Sequence, residues 1–315
     1  MEYITLKNSD LKVSRICMGG CPMGGYGWGS NVAEQELIDA VHTALDNGVN
    51  FFDTADTYGL GQSELTLGKA LKGRREKAVI ASKFGVHAMK GTPTFYDNSP
   101  DWIRTSIEGT LKRLGTDYLD LYQIHYRDGK TPIEEVIDTL DELKKKGYIR
   151  YYGLSNIHQE DIAELKAQKG KFVSFQDEYS LACRKNEQDM INLADKLELS
   201  PLTWGSLGQG ILTGKYDKNT TFSADDRRSR DIYVNFHGEK LLKNLEIVEV
   251  MKQISAENGK SVASIAIRFI LDYLKESVVL VGVKRPSQLL SNVEAMGWKL
   301  SDEQLKLLDE VSMNN

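Results

Sequence analysis

Eight short apolar runs, each followed by a stretch of helical spacing, constrain this 315-residue chain more than any other feature. The runs fall at 15–18, 49–52, 78–82, 119–124, 151–155, 172–176, 201–204 and 278–283. Between them, apolar residues recur at helical intervals, as in Leu37, Val41, Ala44 and Leu45, and again in Ile103, Ile107, Leu111 and Leu114. Start and stop signals agree with this period. Asn31 with Glu34, Ser99 before Pro100, and Thr131-Pro-Ile-Glu134 read as helix starts, and Lys144-Lys-Lys-Gly147 reads as a stop. An irregular stretch, 205–237, precedes helical segments at 239–257 and 262–274, and two more helices begin at Pro286 and Ser301.

Such alternation predicts parallel strands joined by right-handed crossovers. The natural closure is α/β in class: a (β/α)8 TIM barrel with an N-terminal β-hairpin and two additional helices, spanning 1–315 as one domain. A doubly wound open sheet fits less well. Its first strand would lead into a G-x-G-x-x-G turn and a helix, and Gly19-Gly-Cys-Pro-Met-Gly-Gly25 lacks that spacing.

Composition then narrows the function. With 41% hydrophobic and 27% charged residues and no run of about eighteen apolar positions, no membrane span is expected. The N-terminal segment has neither a basic nor an apolar signal region, so a cytoplasmic protein is expected. Cys17, Cys21 and Cys183 read as free thiols, and five scattered histidines give no metal site. A net charge of −5 argues against nucleic acid as a partner.

In a barrel of this kind the active site lies at the carboxyl ends of the strands. Asp53, Lys83 and His125 each follow a strand there, and Tyr58 lies five residues beyond Asp53. Tyrosine is a poor acid at neutral pH and needs a nearby cation to favour the phenolate left after proton transfer. Lys83 supplies a cation, Asp53 can orient it, and His125 can donate a hydrogen bond to a carbonyl oxygen or share the tyrosine's proton. Taken singly, these residues also read as a structural ion pair, a core histidine and a loop tyrosine. Together they suit carbonyl polarisation.

Phe52-Asp-Thr-Ala-Asp-Thr-Tyr58-Gly, Ser82-Lys83-Phe, Gln123-Ile-His125, Gly153-Leu-Ser-Asn156 and Gly210-Ile-Leu-Thr-Gly-Lys-Tyr216 resemble motifs of the aldo-keto reductase superfamily, in its bacterial general-stress and inositol-operon-like branch. The resemblance implies a tetrad of Asp53, Tyr58, Lys83 and His125, with Tyr58 as proton donor and hydride from a reduced nicotinamide. It implies NADPH, with NADH second, and a small aldehyde, ketone or sugar as substrate. Ser155, Asn156 and Gln176 match the carboxamide-binding positions, and Trp204 stands where a ring stacks on the nicotinamide. Leu207, Gly208, Gln209, Gly210 and Lys215 match the loop crossing the pyrophosphate, and Gly282, Lys284, Arg285, Gln288 and Asn292 the adenosine end. Met23, Tyr26, Trp28, Tyr126, Arg127 and Phe236 are the expected substrate walls. Three departures stand out. Gly205-Ser206-Leu207 replaces the commoner Ser-Pro-Leu, Gly282 and Gln288 replace Lys and Arg of other branches, and Tyr126-Arg127 replaces Trp-Pro. The family also contains barrels that bind the nucleotide without turnover for a partner protein, so a regulatory barrel is the alternative.

Overall fold

The computed structural model describes residues 1–25, 27–29, 32–89 and 91–313. An antiparallel hairpin, β1 (Tyr3–Thr5) with β2 (Lys12–Ser14), precedes the first barrel strand, β3 (Ile16–Gly19). The chain continues through α1 (Glu34–Asp46), β4 (Phe51–Asp53), α2 (Gln62–Ala70) and β5 (Val79–Phe84). A small hairpin, β6 (Val86–His87) with β7 (Phe95–Tyr96), interrupts the pattern before α3 (Pro100–Leu114). It resumes with β8 (Leu119–Ile124), α4 (Ile133–Lys145), β9 (Ile149–Ser155), α5 (Ile162–Lys166), β10 (Ser174–Glu178), α6 (Glu187–Leu197) and β11 (Ser200–Trp204). A long irregular loop then leads to α7 (Gly238–Asn258), α8 (Val262–Tyr273), β12 (Val278–Gly282), α9 (Pro286–Val293) and α10 (Asp302–Ser312).

Strands β3, β4, β5, β8, β9, β10, β11 and β12 pair in parallel and close into a barrel when β12 meets β3. The two-residue period of a strand sorts their side chains. Cys17, Phe51, Ala81 and Leu121 fill the interior with Leu6, Leu11 and Val13 of the hairpin region, while Met18, Phe52, Ile80 and Tyr122 pack under the helices. The same parity points Asp53, Lys83 and Gln123 inward, one layer above Phe51, Ala81 and Leu121. Ser82 points outward, where its hydroxyl donates to Glu64 of α2 (2.6 Å), which also accepts from Arg113 of α3 (2.6 Å).

Local signals were kept at some boundaries and overridden at others. Ser99 caps α3 by accepting from the Trp102 amide, and Ser301 forms a capping box with Gln304. Thr131 does not cap α4: its hydroxyl donates to Asp128 (2.7 Å), and Pro132 takes the N-cap place. Asp128 wins because it collects the amides of Asn98, Lys130 and Thr131 as well. Ala33 is the N-cap of α1, with Glu34 its first helical residue, and Asn31 lies outside the described residues. Among the described residues no helix is long and apolar enough to cross a membrane.

Candidate active site

The barrel register gathers the strand ends. Asp53 lies beside Gly19 and Ala81, Lys83 beside Gln123, Gln176 beside Ser155, and Glu178 beside Trp204. His125 follows β8, its amide bonded to the Phe84 carbonyl at 2.9 Å.

Asp53 sits at the centre of this layer. Its Oδ1 accepts from Lys83 Nζ (2.5 Å), and its Oδ2 accepts from Gln123 Nε2 and Gln176 Nε2 (both 3.0 Å). The ammonium of Lys83 has two other bonds, to the Thr54 carbonyl (3.0 Å) and to the Tyr58 phenolic oxygen (3.3 Å). Three donors and three acceptors fix the cation in place. Both side chains are almost wholly buried, at 1% and 3% exposure, so this pair is screened far less than a surface one.

Burial also sets the protonation of the two neighbours. It raises the Tyr58 phenol well above the ordinary tyrosine range, with the Asp53 carboxylate next in effect. The expectation that Lys83 makes the phenol more acidic is therefore outweighed here, by burial first and by the nearby Asp53 carboxylate second. Burial, then Lys83, pushes the His125 imidazole well below its usual value. The tyrosine keeps its proton and the imidazole stays neutral through the neutral range. Their rings meet edge to face at 5.9 Å, and His125 Nδ1 is buried with no partner among the described residues.

A cleft of ≈ 1120 Å³ opens above this layer. Asp53, Tyr58, His125, Ser155, Asn156, Gln176 and Trp204 line its inner end, and Trp28 and Tyr126 are also on its wall. Leu207, Gln209, Gly210 and Lys215 line its middle, and Gly282, Lys284, Gln288 and Asn292 its far end. The Asn156 amide bonds the His125 carbonyl (2.9 Å) and Ser155 Oγ (3.1 Å), which fixes both residues beside the histidine. Gln176 gives its Nε2 to Asp53, so the oxygen of its amide is the group it has for a bound molecule.

Several expected positions lie off the cleft wall. Lys83 stands behind Asp53 and Tyr58, fully buried. Met23 is 1% exposed and joins the core, because the short turn at Cys21–Gly24 points it inward. Phe236 is also buried, edge-on to Tyr216 and Phe222. Arg127 turns away to pair with Glu164 (3.0 Å), Arg285 with Glu36 (3.4 Å), and Gly208 is buried against Ile211 and Ala182. Tyr26 lies outside the described residues.

Other cleft residues had no signal in the sequence. Cys21, Glu178, Lys240, Arg227 and Arg228 all line it. The adjacent arginines in an otherwise irregular loop were the nearest thing to a clue. Within the seventh loop Arg228 donates to the Tyr216 hydroxyl (2.5 Å) and pairs with Asp226. Lys284, after β12, donates to the Trp28 carbonyl (2.5 Å), and the Arg227 amide donates to the Gly27 carbonyl (2.9 Å), so the first loop meets both the seventh and the eighth at the cleft. No group of three or more His, Cys, Asp or Glu that could hold a metal occurs among the described residues.

A closed parallel barrel with a Lys–Asp–Tyr–His set at the carboxyl ends of its strands defines a class of enzyme, and comparison places the chain within it. Residues 15–313 match the model of the Aldo/keto reductase family, and the chain belongs to that family of oxidoreductases. It is 35% identical over 317 residues to aldo-keto reductase YhdN of Bacillus subtilis (strain 168), covering 100% of this chain and 94% of that protein. It is 30% identical over 326 residues to the NADH-specific methylglyoxal reductase of Escherichia coli (strain K12), covering 99% and 98%. Among solved structures it resembles the glycerol dehydrogenase AKR11B4 of Gluconobacter oxydans, with a TM-score of 0.88, 34% identity and 98% and 94% of the two chains covered. It also resembles an aldo-keto reductase of Klebsiella pneumoniae in complex with NADPH, with a TM-score of 0.76, 25% identity and coverage of 99% and 96%.

Proposed function

We propose that this protein reduces an aldehyde, ketone or sugar carbonyl to the alcohol, with a reduced nicotinamide dinucleotide, NADPH in preference to NADH, as the second substrate. The observation that carries this reading is the Lys83 ammonium, held by Asp53 and Thr54, with its third hydrogen bond aimed at the Tyr58 oxygen at the inner end of the cleft.

The cleft fits a nicotinamide dinucleotide. At its inner end are amide and hydroxyl groups on Ser155, Asn156 and Gln176 beside the flat indole of Trp204, and Lys215 and Lys284 supply positive charge further out. When bound, the nicotinamide supplies the hydride. Tyr58 gives its phenolic proton to the oxygen that becomes the alcohol, and Lys83 offsets the negative charge left on the phenolate. Asp53 holds Lys83 in that geometry. His125, neutral because it is buried, offers an N–H to the carbonyl oxygen without competing for the tyrosine's proton.

The preference for NADPH rests on Lys284, which lines the far end of the cleft within the electrostatic reach of Arg285 and Arg228. A charge-assisted hydrogen bond of roughly 1.5–3 kcal/mol to a 2′-phosphate gives on the order of ten- to several-hundred-fold discrimination. The test is a steady-state screen of small aldehydes, ketones and sugars with both reduced dinucleotides. Tight dinucleotide binding with no turnover on any carbonyl would replace this reading with a regulatory barrel.

A further inference from the structure

Among the described residues the His125 imidazole has no hydrogen bond at Nδ1 to orient it. Histidines that act in chemistry usually have one nitrogen tied to a carbonyl or carboxylate, which fixes ring and tautomer. Here Nδ1 is buried and unpartnered among the described residues, and the ring is held by other rings. Tyr58 meets it edge-on, and Tyr126 stacks on it at 5.1 Å and 24°. Tyr126 in turn stacks on Tyr96 at 4.9 Å and 13°.

Tyr96 is the last residue of β7, in the small hairpin that the barrel pattern does not require. That hairpin is fastened to the loop carrying Tyr126 by its backbone as well as by its ring. The fully buried Asn98 donates to the Tyr126 carbonyl (3.1 Å) and exchanges two bonds with Asp128, one from its amide (2.9 Å) and one to its side-chain oxygen (2.8 Å). Gly85 makes this approach possible. Its φ is +99°, and a Cβ there would stand 2.4 Å from Asn98 Nδ2. On the other side His87 stacks between Phe95 (4.2 Å) and Trp102 (3.5 Å). Tyr96 itself is 45% exposed, so its ring contributes little to the core.

We propose that the β6–β7 hairpin orients the His125 imidazole, with Tyr96 as a positioning residue that acts through Tyr126. The inference rests on the role of His125 in carbonyl reduction. Stacking replaces the missing hydrogen bond, and the Tyr126–Tyr96 pair screens the imidazole from water on that side. The charged and titratable groups facing His125 are Lys83 from β5, paired with Asp53 of β4, and Tyr58 and Tyr126. Beyond Tyr126 stand Tyr96, Asp177 and Glu178. Loss of the Tyr96 ring frees Tyr126 to move and admits water. Water solvates the imidazolium, so the depressed titration of His125 rises toward that of an ordinary histidine.

The experiment uses the full-length protein with Tyr96→Ala and Tyr96→Phe. An aromatic pair contributes enough that kcat in Tyr96→Ala should fall about 3- to 10-fold, while KM for a small aldehyde and Kd for NADPH stay within about twofold. The acid limb of the pH–rate profile should move to higher pH, and Tyr96→Phe, which keeps the ring, should restore all three. NMR titration of the histidines without added nucleotide gives a second readout, with the His125 signal assigned from His125→Asn. Its midpoint should rise in Tyr96→Ala and not in Tyr96→Phe. Unchanged kcat and midpoint in Tyr96→Ala would overturn the proposal, as would a Tyr96→Phe protein that behaves like Tyr96→Ala, or a change confined to KM. If the parent protein reduces no carbonyl, the functional reading fails, and the NMR midpoint alone decides whether the hairpin governs the imidazole.

Discussion

The two ends of the cleft are built on different principles. At the inner end, Asp53, Lys83, Gln123 and Gln176 come from four strands, are nearly or fully buried, and are joined by hydrogen bonds that converge on the Asp53 carboxylate. Towards the far end, most groups come from loops and are held by contacts within those loops or to a neighbouring loop or strand end. Gln209 bonds Glu178 (3.2 Å) and accepts from Asn235 (2.6 Å), Asp226 pairs with Arg228, and Lys284 reaches Trp28. Strand ends are placed by the barrel's register whether or not anything is bound. Loop groups are placed only by their contacts, and a bound molecule can compete for those contacts. Changes at the inner end should therefore alter turnover, and changes at the outer end should alter affinity and selectivity.

The sharpest test is Tyr58→Phe, which keeps the ring and removes the proton. Loss of a positioned proton donor should lower kcat by about two orders of magnitude or more, with little change in Kd for NADPH. Lys83→Met should follow it in kcat and should also destabilise the protein by about 3–5 kcal/mol, because it leaves the buried Asp53 carboxylate without its cation. Chemical denaturation measures that loss. Near-normal turnover in Tyr58→Phe would remove the tyrosine from the acid role. A large fall in dinucleotide affinity in either variant would blur the division between the two ends.

At the outer end, Lys284→Ala should weaken NADPH on the order of tenfold or more and leave NADH nearly unaffected, since one charge-assisted bond of roughly 1.5–3 kcal/mol is removed. Arg285→Ala should do less. The sequence treats the two cations alike, but Lys284 lines the cleft while Arg285 pairs with Glu36 outside it. Isothermal titration with both dinucleotides separates the outcomes: equal loss for NADPH and NADH would assign Lys284 to a part the two share.

The same division explains what could be read from the chain. Asp53 and Lys83 were legible because a carboxylate and an ammonium end apolar runs of strand period, and register does the rest. The hairpin bearing Tyr96 was not, since its two-residue strands leave no period to detect. Met23 and Phe236 were expected on the substrate wall because they are apolar residues in irregular loops. Which way such a loop turns a side chain depends on contacts from distant elements, and here both face the core. Thr131 carried a sound local capping signal, yet Asp128 offered its hydroxyl a better acceptor three residues away. Arg227 and Arg228 became cleft residues only through the meeting of two loops far apart in sequence.

Asp56 tests whether the inner end is as fully satisfied as its centre. One of its oxygens is buried without a partner among the described residues, and burial, followed by Glu64, raises its carboxyl to about 7. The folded protein then keeps a proton that the unfolded chain, near 3.9, has released. The sign follows from linkage: Asp56 favours the fold fully below the unfolded value, and that contribution is lost as pH rises through about 7. Asp56→Asn should thus raise stability at pH 8 by about 1–2 kcal/mol, after discounting for partial exposure, and by only about a third as much at pH 5, where most of the window between the two titrations is still to be crossed. Thermal melts at the two pH values measure the difference, and an equal shift at both would mean that ionisation of Asp56 is not what the substitution relieves.

The smallest effect is optical and lies at the inner end. Trp204 is the last residue of β11, stays partly exposed at the cleft, and is held by the bond from the Tyr179 amide to its carbonyl (3.2 Å). An indole at that position offers a flat face to a nicotinamide, so dinucleotide binding should quench its fluorescence. The chain has four tryptophans, and Trp28 also lines the cleft, packed edge-on to Tyr233 and near Arg227. A single substitution therefore cannot assign the signal. Titrating NADPH into the parent protein, Trp204→Leu and Trp28→Phe resolves it: most of the quench should vanish in Trp204→Leu and persist in Trp28→Phe. The reverse pattern would move the stacking ring to the first loop, and the nicotinamide would then lean on a loop contact instead of a strand end.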